Sequence, residues 1–72
     1  MPDTGFRIME LADAAVYLHR ALPSRYEARK AGDQVRITNL NTNASLLLTL
    51  SLPEDSLTLR GIVLRKLEER GV

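Results

Sequence analysis

Cysteine and tryptophan are both missing from this chain of 72 residues. Without cysteine there are no disulfide staples, thiolate zinc sites or thiol nucleophiles, which excludes a disulfide-dependent secreted scaffold. A single histidine, His19, cannot build a histidine-rich metal site. Aromatic rings are scarce: Phe6, Tyr17 and Tyr26 are too few for the interleaved stacking platform of a single-strand nucleic-acid binder. No apolar run approaches the length that crosses a bilayer, and the N-terminus lacks the basic-then-apolar layout of a signal peptide. A cytoplasmic protein with no membrane role is therefore expected. Neither sign of charge dominates either. The net charge is +1, so no global field steers the protein to nucleic acid or anionic lipid.

What is present suits one small folded unit. The hydrophobic fraction of 44% and charged fraction of 26% are ordinary for a globular chain and argue against disorder. No repeat, linker or low-complexity tract divides residues 1–72, so a single domain is expected. At this size folding buries only about 60% of the unfolded surface, and pairing with a copy or a partner would add stability.

The period of the apolar residues outlines the elements. Ile8, Leu11, Ala15, Leu18 and Leu22 recur at helical spacing and predict a helix over Phe6–Leu22, with Thr4 as its cap and Pro23 as its stop. From Tyr26 the period becomes two. Tyr26 and Ala28 point one way, Arg25, Glu27 and Arg29 the other, as in a half-buried strand. Gly32-Asp33 supplies the glycine that a type II′ hairpin turn needs. That loop sets Arg29 opposite Arg36 and Ala28 opposite Ile37, with Tyr26, Ala28, Val35 and Ile37 inward.

Asn39, Asn41, Thr42 and Asn43 then mark a turn. Ser45–Leu52 reads as a third strand, with Leu46, Leu48, Leu50 and Leu52 on one face and Leu47 out of place among Ser45, Thr49 and Ser51 on the other. Pro53 closes it. A second helix follows, capped by Ser56 or Thr58, burying Leu59, Ile62, Val63 and Leu67, and stopped by Gly71. Gly61 costs that helix roughly 1 kcal/mol, for close packing or because the helix starts later. The expected fold is α+β: an α-β-β-β-α chain whose three-stranded antiparallel meander is covered on one face by two helices.

No residue set nominates an enzyme. Glu54-Asp55 reads as helix-start charge and Glu68-Glu69 as a solvated helix face. His19 has no evident partner for acid–base work. Single glycines form no phosphate-cradling loop, and no cofactor or metal site is expected. The informative feature is local charge, because residues 23–52 carry Arg25, Arg29, Lys30 and Arg36 against only Glu27 and Asp33. Two guanidinium groups facing each other across strands repel unless an anion sits between them. A phosphate would fill that place, and Glu27 would fill it equally well. The uncharged third strand is a second candidate surface, with Leu47, Thr49 and Ser51 as interface residues open to strand pairing with a partner or a second copy.

Two segments carry a family resemblance. Tyr26-Glu27-Ala28-Arg29-Lys30-Ala31-Gly32 resembles the first strand and glycine of the HicA-type toxins, small mRNA interferases of toxin–antitoxin pairs with a double-stranded-RNA-binding-domain type of fold. Leu57-Thr58-Leu59-Arg60-Gly61-Ile62 resembles the opening of that family's last helix. In the family a serine and then the histidine needed for RNA cleavage follow the glycine; here Asp33 and Gln34 stand there. The resemblance therefore implies a protein inactive as a nuclease that keeps at most an RNA- or partner-binding surface. Glu54-Asp55 also replaces the lysine cluster that double-stranded-RNA binders carry at that helix start. The expected function is a non-enzymatic module that docks on another protein or on itself, with RNA or DNA binding by the basic hairpin as the alternative.

Overall fold

The alternation that begins at Tyr26 does become a meander. The computed structural model describes residues 5–72. Its elements are β1 (Arg7–Ile8), α1 (Leu11–Ala21), β2 (Tyr26–Ala31), β3 (Gln34–Asn39), β4 (Ser45–Leu48), β5 (Glu54–Asp55) and α2 (Ser56–Arg70). β2, β3 and β4 form a three-stranded antiparallel sheet in that order, and β1 pairs with β5 in a separate small ribbon. The chain is thus an α+β domain whose two helices and central sheet follow the expected order.

The hairpin register is the one its turn dictates. Arg29 faces Arg36 and Ala28 faces Ile37, around Gly32-Asp33. Gly32 has φ 64°, while Asp33 is not among the positive-φ residues, so the turn needs a left-handed residue only at its first central position. The asparagine turn closes through the Asn39 side chain, whose Oδ1 accepts from the Asn41 amide at 2.9 Å. Tyr26, Ala28, Val35, Ile37 and Leu48 face the helices and join Leu18, Leu59, Val63 and Leu67 in one core. Tyr26 keeps its hydroxyl satisfied there by donating to the Val72 carbonyl at 3.0 Å.

The differences from the sequence pattern have local causes. The first helix begins at Leu11 rather than Phe6, because Arg7 and Ile8 pair with Asp55 and Glu54. Ile8 fits the helical stripe by spacing, yet it is buried from a strand. Glu10 occupies the cap position without a side-chain bond, and Thr4 lies outside the described residues. The second helix is capped neither by Ser56 nor by Thr58. Asp55 takes that role, its carboxylate accepting from the Leu57 and Thr58 amides at 3.1 and 3.2 Å. Ser56 Oγ instead accepts from the Phe6 amide at 2.9 Å and ties the ribbon to α2.

β4 ends at Leu48 rather than Leu52. Its partner β3 starts at Gln34, so residues beyond Thr49 have no strand left to pair with. Leu50 and Leu52 still pack against the core from outside the sheet. On α2 the buried stripe is Leu59, Val63 and Leu67, and Ile62 is exposed, contrary to its assignment. Gly61 is mid-helix with open space where a side chain would be, so neither close packing nor a late start explains it. Gly71 ends the helix as expected, with φ 70°.

Candidate binding surface

Because the helices share one side of the sheet, the other side is bare. Its middle row is set by pairing: Arg29 on β2, Arg36 on β3 and Leu47 on β4 stand side by side, all exposed. Glu27, Thr38 and Ser45 continue the same face. Beyond the end of β4, the Gln34 amide donates to Thr49 Oγ1 at 3.0 Å.

The Arg29–Arg36 repulsion is relieved on one side only. Arg29 Nε donates to Glu27 Oε1 at 2.8 Å, and this is the single ion pair among the described residues. The Arg29 hydrogen bond holds the Glu27 carboxyl below its ordinary value; it outweighs an opposing effect of desolvation, and the Arg29 charge and nearby His19 add smaller downward contributions. The same contact raises Arg29. Arg36 has no carboxylate in contact among the described residues. It sits between a cation and an exposed leucine.

The four candidate cations do not form one patch. Arg25 precedes β2 and lays its guanidinium over the Tyr26 ring, 4.8 Å from the centroid. It lies four residues from Arg29, roughly 13 Å along an extended chain. Lys30 has the parity of Ala28 and faces the helix side, where it borders a groove. Only Arg29 and Arg36 are brought together. Likewise, Leu47 and Thr49 border the open face, whereas Ser51 lies past the end of β4 and is off the sheet.

That groove is the feature the sequence reading missed. The uncharged third strand, β4, is one edge of the sheet, and the strand order makes β2 the other. α1 packs beside it and leaves a groove of about 610 Å³ floored by Ala12, Ala15, Val16 and Ala28. His19, Arg20, Arg29 and Lys30 form its rim, and no carboxylate among the described residues lines it. His19 Nδ1 accepts from the Ala28 amide at 3.3 Å, so the imidazole serves the strand edge. The signal was present in the sequence: Ala12, Val16 and Arg20 recur every four residues beside the leucine stripe and belong to neither the core nor a plainly polar face.

The carboxylate pairs stay apart in role. Asp55 caps α2, Glu54 Oε1 accepts from the Asp55 amide at 2.8 Å, and Glu68 and Glu69 are exposed. Among the described residues no three histidine, aspartate or glutamate side chains gather as metal ligands. No helix is long and apolar enough to cross a membrane. Against known proteins, no family model, curated protein or solved structure matches the chain.

Proposed function

We propose that the chain is a non-catalytic module that works by docking on another protein through the open face of its sheet. The observation that supports this most is the central row of that face. Arg36, with no carboxylate in contact among the described residues, stands beside the exposed Leu47 inside a rim of threonine, serine and glutamine. An exposed arginine beside an apolar side chain, bounded by small polar groups, has the chemistry of an interface centre, where arginine is enriched and lysine and glutamate are depleted.

Nucleic-acid binding is the second reading, and the Arg29–Arg36 pair favours it. That pair offers two guanidinium groups to one phosphate, but Arg29 is already held by Glu27 and neither Lys30 nor Arg25 adds to it. The HicA-like resemblance belongs to this second reading as a binder only. At the position of that family's histidine stands Gln34, whose amide is bonded to Thr49.

A photo-crosslinking residue at Leu47, compared with one at Arg65 on α2, tests the proposal in an extract of the native cells. Protease-sensitive adducts from position 47 and none from 65 are expected. Adducts removed by nuclease would transfer the case to the second reading, and no adduct at position 47 would end both.

A further inference from the structure

We infer that the groove between α1 and the free edge of β2 accepts an extended acidic segment of a partner protein as a fourth strand. This goes beyond the docking reading, since it assigns a different part of the molecule.

The backbone supplies the first argument. The Leu40 amide donates to the Arg25 carbonyl at 2.7 Å, and the antiparallel ladder from there to the turn uses the backbone groups of Glu27, Arg29 and Ala31. The groups of Ala28 and Lys30 therefore point away from β3. Of these, the Ala28 amide is answered by His19 Nδ1, a side chain of α1 standing where a neighbouring strand's carbonyl would stand. The Lys30 amide and both carbonyls have no hydrogen-bond partner among the described residues and are open to an added strand. Such a row is a template for strand addition.

The helix supplies the second. α1 packs along the edge strand rather than the middle of the sheet, so its outer stripe lines the groove beside that edge. Val16 is 57% exposed there, and Ala12 beside it is exposed as well. A strand added to β2 would lie under this stripe and cover Val16 with its inward side chains.

Charge selects the occupant. Arg20 and Lys30 on the rim have no carboxylate in contact among the described residues, and Arg29 shares only Glu27. A second copy pairing edge to edge would set these cations against themselves, so the fitting segment is acidic with alternate apolar residues.

The test uses a labelled short peptide of alternating glutamate and valine, read by fluorescence anisotropy and by amide hydrogen exchange. The peptide should bind saturably and slow exchange at Lys30, leaving the already bonded Arg29 unchanged. Arg20→Glu or Lys30→Glu should each weaken binding about fivefold, with the circular dichroism spectrum unchanged. Leu47→Asp should leave it as it was. The inference falls if the peptide does not bind or Lys30 gains no protection. It also falls if a block-ordered peptide of the same composition, or a single-stranded oligonucleotide, binds equally well. Loss of peptide binding in Leu47→Asp alone would overturn it too while leaving the docking reading on the open face intact. Conversely, protein adducts absent at Leu47 with the peptide result as expected would place docking at this edge instead.

Discussion

The two faces of the central sheet are made from the same strands and do opposite work. On the covered face Val35, Ile37 and Ala28 are buried under α1 and α2 and hold the fold together. On the open face Arg29, Arg36 and Leu47 alternate with them residue by residue and stay exposed. The two sets are separated by a single step of the strand pleat. Both helices pack on one side of the sheet, and the uncovered side is free to carry chemistry that stability does not require.

The largest effect should come from crossing between the faces. Ile37→Ala is expected to cost about 2–5 kcal/mol, since it empties a fully buried site. Its neighbour Arg36→Thr should stay within about 0.5 kcal/mol. Urea unfolding of both variants measures the contrast, and comparable losses would mean that the open face is structural after all.

A smaller effect defines how far the covered side extends round α2. Gly61→Ala should stabilise the fold by about 0.5–1 kcal/mol, because an alanine Cβ there meets nothing and a helix-interior glycine is costly. A lower thermal midpoint in this variant would show that position 61 is packed.

The smallest effect concerns the one ion pair of the open face. Glu27 has its folded-state pKa lowered by Arg29, so the pair contributes above the ordinary carboxylate value and is lost as pH falls through the lowered one. The stability difference between wild type and Glu27→Gln should therefore be present at neutral pH and vanish in acid. It should be slight throughout, since both side chains are solvent-screened. A difference that grows on acidification would contradict the assignment.

The hairpin could be read from the sequence because two independent signals agree there. Glycine at the turn fixes the pairing, and the apolar alternation demands the same pairing. The β1–β5 ribbon had no such redundancy. Its strands are two residues long, Ile8 satisfies a helical stripe and a buried strand equally, and Glu54-Asp55 looks like the start of a helix. Asp55 does serve the helix, but as its cap. The candidate site was legible as far as the register carries. Arg29, Arg36 and Leu47 follow from counting, and the same counting puts Lys30, of opposite parity, on the other side of the strand from Arg29. The Ala12, Val16 and Arg20 spacing marks a second stripe on α1, but what that stripe faces depends on how α1 packs against β2, which the spacing alone does not encode.

All of this requires that the strands pair as described, and alpha-proton contacts in a nuclear Overhauser spectrum report it directly. Close contacts are expected between Ala28 and Ile37 and between Arg36 and Leu47, the pairs not joined by ladder hydrogen bonds. A contact from Arg29 to Ile37 in place of the first would mean a one-residue slip that turns Arg36 into the core, and the account would be wrong.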